Sequence, residues 1–172
     1  MELRAAHASE LPELLRLHRA AFGEEGAVIA KLVEEFQQDG SGQLLSLVAS
    51  EDGLLGHVIF SQIQLAHLRA AILAPLAVLP KRQKQGVGSQ LVKRGLEQLQ
   101  KDGLELVFVF GNPGYYSRFG FRPALEHGFE PAHPIKAEHE AGWMVLFFKE
   151  SAGDGVKGKV QCAGPLDKAE LW

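Results

Sequence analysis

The sequence predicts an α/β fold of the α+β kind, built on a central mixed sheet, and three observations carry that prediction. Two stretches of helical periodicity open the chain, a hairpin pattern follows them, and a wholly apolar run and a second, largely apolar one further on flank a third helical stretch. An apolar run with no alternation suits a strand buried on both faces. Strand, helix and strand in close succession then favour a right-handed parallel crossover.

Taken in order, Leu11, Leu14, Leu15, His18 and Phe22 recur at helical spacing, with Ser9 as the expected N-cap. After Gly23-Glu24-Glu25-Gly26, residues Ile29, Leu32, Val33 and Phe36 repeat the pattern, and Asp39-Gly40-Ser41-Gly42 stops it. Leu44 to Ala49 reads as a strand, Glu51-Asp52-Gly53 as a turn, and Leu54 to Leu65 as a longer strand with partial alternation. The run Ala70 to Leu79 suits a central strand, interrupted by Pro75, which cannot donate to a ladder and so implies a bulge, an edge or a local parting from one neighbour. Leu91, Val92, Leu96 and Leu99 mark a helix from about Gly86 to Lys101, closed by Asp102-Gly103, and Leu104 to Phe110 is the next buried strand. A final strand is expected over Trp143 to Lys149, where an exposed edge at Trp143 to Phe148 could pair between subunits.

Length and composition narrow the class. The chain of 172 residues suits one domain, expected over residues 1–150, with residues 151–172 as an extension packed on it or continuing it. No segment approaches the ~20 apolar residues of a membrane helix, and Met1 to His7 lack the pattern of a secretory signal, so a cytoplasmic location is expected. The single cysteine, Cys162, forms no intramolecular disulfide or zinc cluster. A net charge of −3 argues against general nucleic-acid binding, so any anion site must be local.

Such a site is suggested by the stretch PKRQKQGVGSQL, Pro80 to Leu91, which places three cations and two glycines just before a helix. A helix N-terminus offers unpaired N–H groups and about half a positive charge, and Gly86 and Gly88 remove the side chains that would hold a phosphate away. Gln83, Lys84, Gln85, Gly86, Val87, Gly88 and Ser89 could then wrap a diphosphate. The same glycines could instead serve a tight structural turn. A dinucleotide fingerprint would need a third glycine where Leu91 stands, although Glu105 lies near the distance of its ribose contact, and no Gly-Lys-Ser/Thr phosphate loop occurs.

Gln83-Lys84-Gln85-Gly86-Val87-Gly88 resembles, position by position, the acyl-coenzyme A signature of the GNAT superfamily of N-acetyltransferases. Downstream, YYSRFGF resembles that family's Tyr-x-x-x-Gly-Phe element, with Tyr116, Gly120 and Phe121 in the matching places. The resemblance spans Leu73 to Phe121 and implies a mixed sheet of about six to seven strands with about four helices. It further implies acetyl-coenzyme A as cosubstrate, backbone contacts to it at Leu76, Ala77 and Val78, and Tyr116 as general acid. Many relatives carry an Asn seven positions before that Tyr, contacting the pantetheine arm, where this chain has Val109; Asn112, four before Tyr116, is expected either to serve the arm from another angle or not to serve it.

The implied reaction is acetyl transfer to a primary amine of a small molecule or peptide by direct attack in a ternary complex. A non-catalytic acyl-coenzyme A binding module is the alternative, and a small dinucleotide-dependent oxidoreductase a further one. A phenol with pKa near ~10 protonates a thiolate of ~8.5 uphill by roughly 2 kcal/mol, so Tyr116 is expected to donate a hydrogen bond more than to deliver a proton. His57, which shares a strand face with Ser61, is the candidate base; Glu51, His67, Glu126 and His127 compete with it, and the amine could also lose its proton through water with no single residue essential. The spacing of His127, His133 and His139 matches no zinc motif.

Overall fold

The computed structural model describes all residues from Met1 to Trp172. In chain order, β1 (Glu2–Ala5) leads to α1 (Leu11–Phe22), α2 (Gly26–Asp39), β2 (Gln43–Ser50), β3 (Leu54–Leu65) and β4 (Leu68–Val78). Then come α3 (Val87–Lys101), β5 (Leu106–Phe110), the short α4 (Pro113–Tyr116), β6 (Arg122–Pro123), β7 (Phe129–Glu130), β8 (Trp143–Phe147), β9 (Gly158–Lys159) and β10 (Gln161–Cys162). Eight strands form a mixed sheet in the order β1-β2-β3-β4-β5-β8-β6, with β10 beside β3, while β7 and β9 pair separately. No helix is long and apolar enough to cross a membrane.

The chain divides into two compact units. The first comprises Met1–Phe60 and Ala74–Glu97. In it β1 pairs antiparallel with β2, Leu3 opposite Ala49, and Leu14, Leu17, Ala30, Val33 and Phe36 form the buried stripe of α1 and α2. Two glycines bring α3 close to β3. A Cβ on Gly95 would lie 2.2 Å from the Phe60 ring, and one on Gly56 would meet Leu91 at 2.9 Å and the Ala77 carbonyl at 3.1 Å.

The second unit comprises Ser61–Leu73 and Gln98–Trp172. There β4 pairs parallel with β5 from Ala70↔Leu106 to Leu73↔Val109, and β8 runs antiparallel to β5, Phe110 opposite Trp143. Its core stacks Phe108 on Trp143 at 5.0 Å, and the Trp143 indole N–H donates to the Phe129 carbonyl at 2.9 Å. From the C-terminal segment, Gln161 and Cys162 pair with Gln64 and Ile63, and Trp172 stacks on Phe110 at 5.9 Å.

The predicted helices, hairpin and strand–helix–strand order are all present, with four corrections. Ser9 lies in a short 3-10 turn, Ala8–Glu10, so Glu10 precedes α1; the Glu10 carboxylate accepts from the His7 N–H at 2.8 Å and pairs with Arg4. The four-residue β1 lies outside the predicted set, being too short to show a period. Central strand β4 begins at Leu68, reached from β3 through Ala66 and His67, with Ala66 at φ +52. Last, Trp143 to Phe148 is not an exposed edge: β8 lies between β5 and β6, and Trp143 to Leu146 are buried.

Candidate functional site

The glycine loop is shaped mainly by its own backbone. The Leu79 N–H donates to the Leu55 carbonyl at 2.9 Å, and Pro80–Arg82 make one 3-10 turn, the Arg82 N–H reaching the Leu79 carbonyl at 2.8 Å. Lys84 at φ +60 and Gly86 at φ +87 then reverse the chain into α3. A side chain at Gly86 is disfavoured by that φ although the space beside it is open, Gln90 being 3.9 Å from a built Cβ. The Gly86 carbonyl accepts from the Gln90 N–H at 3.0 Å, so the helical ladder starts at Gly86. The first-turn amides from Gly86 onward, ahead of the Gln90 donor, have no intrahelical acceptor.

Each residue predicted for this site has a definite place. Lys84, Gln85 and Gly86 are exposed, Gly88 and Ser89 half-buried, and Val87 is buried. The Gln83 side-chain amide donates to the Val78 carbonyl at 3.1 Å, and that of Gln85 to the Lys81 carbonyl at 3.0 Å, so both side chains fix the loop. Leu76, Ala77 and Val78 form the end of β4 after Pro75, with Ala77 buried and the other two half-buried. Lys81 and Lys84 are exposed cations, whereas Arg82 pairs with Glu51 at 3.1 Å. Exposed amides at a helix start beside unpaired lysines fit a diphosphate.

Tyr116 belongs to the second unit. Asn112 caps α4, its side-chain oxygen accepting from Gly114 N–H at 2.9 Å and Tyr115 N–H at 3.4 Å. The absence of a side chain at Gly111 seats the Tyr116 ring, because a Cβ there would lie 2.6 Å from it. Tyr115 at 4.9 Å and Phe121 at 5.8 Å flank the ring edge-on, leaving Tyr116 9% exposed. Burial pushes its hydroxyl pKa above the usual phenol value, with a smaller push from Tyr115. The group therefore stays protonated near neutral pH.

His57 lies in a buried polar chain absent from the sequence-based expectations. It is 1% exposed; its Nδ1 is 2.8 Å from His18 Nε2, and its Nε2 is 2.7 Å from Ser46 Oγ. His18, on α1, stacks on Phe22 at 6.0 Å, and its Nδ1 has no hydrogen-bond partner. Burial lowers the pKa of His18 to about 4 and that of His57 to about 3, the second with help from His18. Both rings are neutral near pH 7, and both nitrogens of His57 are engaged.

The other candidates lie apart from this chain of bonds. Ser61, also buried, has an unpartnered hydroxyl; His67 is exposed in the β3–β4 connection; His127 rests on Phe147 at 4.9 Å; and His133 pairs with Asp167 at 2.7 Å. Glu126 is exposed beside His127. No group of three or more His, Cys, Asp or Glu side chains is placed to hold a metal ion. Burial raises the Cys162 thiol to about 12.

Residues 2–124 match the family model described as an acetyltransferase (GNAT) domain. Over 95% of this chain and 92% of its relative, the sequence is 34% identical to the uncharacterized N-acetyltransferase YjhQ of Escherichia coli K12. The crystal structure of the GNAT family N-acetyltransferase YhbS from Escherichia coli in complex with CoA superposes with a TM-score of 0.87 at 32% identity, covering 97% of this chain and 92% of that one. A GNAT family acetyltransferase from Brucella melitensis in complex with acetyl-CoA gives a TM-score of 0.75 at 28% identity, covering 96% and 97%.

Proposed function

Since the chain belongs to the GNAT acetyltransferase family, we propose that it transfers the acetyl group of acetyl-coenzyme A to a primary amine of a small molecule or peptide, by direct attack in a ternary complex. The observation that carries this reading is the glycine loop: a left-handed Gly86, exposed amides entering α3, and Lys81 and Lys84 beside them. The two solved relatives bound to CoA and acetyl-CoA support the choice of anion. When bound, the coenzyme supplies an activated thioester.

The residues of the chain then divide the work. Amides from Lys84 to Ser89 hold the diphosphate, the Gln83 N–H being turned back to the Pro80 carbonyl at 3.4 Å, and main-chain groups at Leu76, Ala77 and Val78 meet the thioester end and its developing negative oxygen. The amine nitrogen adds to the thioester carbon, the C–S bond breaks as the carbonyl re-forms, and coenzyme A leaves as a thiolate that accepts a hydrogen bond from Tyr116 and takes its proton from solvent. Asn112 shapes the entry to α4, so its contribution to the pantetheine arm comes from the loop it caps. A neutral His57 bonded at both nitrogens accepts a proton only by breaking one of those bonds. The amine proton is therefore assigned to solvent, and His57 to the support of β3.

The test is thiol release from acetyl-coenzyme A with a panel of amines, including peptides with free N-termini, the products identified by mass spectrometry. Acetylated amine in step with thiol supports the reading. Thiol release without acetylated amine, or no release with any acceptor, contradicts it.

A further inference from the structure

We propose that Arg82 is a positioning residue for the glycine loop and that Glu51, in the β2–β3 turn, sets it; the inference rests on the reading of that loop as the acetyl-coenzyme A site. Arg82 ends the 3-10 turn and directly precedes Gln83. Its Nη1 donates to Glu51 Oε2 at 3.1 Å, while its Nε is buried without a partner. The other Glu51 oxygen meets the Met1 ammonium at 3.3 Å. Hydrogen bonding from Arg82 is foremost in holding the Glu51 carboxyl below its ordinary pKa.

The turn that carries Glu51 is itself fixed. The Glu51 N–H donates to the Gly53 carbonyl at 2.9 Å, Asp52 and Gly53 take φ of +52 and +119, and the next amide, Leu54 N–H, donates to Glu13 on α1 at 3.0 Å. The ion pair thus ties the loop to a turn anchored on α1. The side-chain bonds of Gln83 and Gln85, by contrast, close within Val78 to Gln85. With its charge matched by Glu51, Arg82 adds less field at the loop than Lys81 and Lys84 do. Its contribution is geometric, since a partly buried guanidinium that loses its carboxylate must shift to find water, and Gln83 moves with it.

The experiment is isothermal titration of the intact chain and of Arg82→Gln, Glu51→Gln, the double variant and Arg82→Lys with acetyl-coenzyme A, each with a thermal melt. A partly exposed ion pair corresponds to an effect of about two- to fivefold. Each glutamine variant should lose that much affinity, the double variant should be no weaker than the weaker single, Arg82→Lys should keep most of the affinity, and the melts should coincide. Unchanged or tighter binding by Glu51→Gln, losses that add in the double variant, or affinity that falls only in step with melting temperature would overturn it. If the intact chain binds no acetyl-coenzyme A, the loop reading itself fails and this inference with it, a result distinct from equal binding by all variants.

Discussion

The glycine loop at Pro80 to Ser89 and the buried chain His18–His57–Ser46 put polar groups to opposite uses. In the loop the groups proposed to act are main-chain amides, set by the left-handed backbone at Lys84 and Gly86. In the buried chain they are side chains from α1, β2 and β3, and they bond mainly to one another. On the proposed reading one region serves an outside partner, and it is local in sequence; the other joins residues 39 and 11 positions apart. Changes in the first should therefore alter binding with little effect on stability, and changes in the second the reverse.

The largest expected effect is on the loop. Replacing Gly86 and Gly88 together by Glu puts two carboxylates where anion-binding amides converge and forces a side chain onto φ +87. Affinity for acetyl-coenzyme A should fall by about a hundredfold or more, as two repulsive contacts of several kcal/mol imply. Equilibrium dialysis with labelled coenzyme measures it, and a melt within a few degrees of the parent would confine the change to binding. Next is Tyr116→Phe, which removes the donor and leaves the ring contacts. Turnover should drop by about tenfold or more, with coenzyme affinity retained; unchanged turnover in the thiol-release assay removes Tyr116 from the chemistry.

The buried chain should respond to pH. Both folded-state pKa values lie below the ordinary histidine value of about 6.5, at about 4 for His18 and about 3 for His57. As pH falls below that ordinary value the unfolded chain takes up protons that the folded chain refuses, so stability is kept near neutrality and lost on acidification. The loss should reach at most about 3 kcal/mol per pH unit for two protons. Urea unfolding at stepped pH measures it, and His57→Gln should flatten the slope. A parent slope already flat would mean that these rings charge freely in the folded state. Smallest in its effect on coenzyme binding is Gly95→Ala, where the added carbon would lie 2.2 Å from the Phe60 ring. Overpacking there should cost about 1–3 kcal/mol by the same unfolding assay, with no selective change in coenzyme affinity.

The same contrast explains what was legible in the sequence. The helices, the β2–β3 hairpin and the strand–helix–strand core follow from periodicity, because each is a repeated local choice. The glycine loop was legible because its determinants, two glycines and a helix start, are contiguous. His57 was visible as a candidate, but its partners His18 and Ser46 come from other elements, and no local pattern marks which side chains will meet. Gly56 and Gly95 likewise read as ordinary residues until β3 and α3 are packed. The start of β4 was hidden because Ala66, not glycine, takes the left-handed turn position, and the short C-terminal pairing of Gln161 and Cys162 is too brief to show a period.

The central claim, that the glycine loop serves an acyl-coenzyme A, is tested most directly by isothermal titration of the intact protein with acetyl-coenzyme A and, in parallel, with NADH. The account predicts saturable micromolar binding of acetyl-coenzyme A and none of NADH. Binding of NADH in its place, or no heat with either ligand, would contradict it.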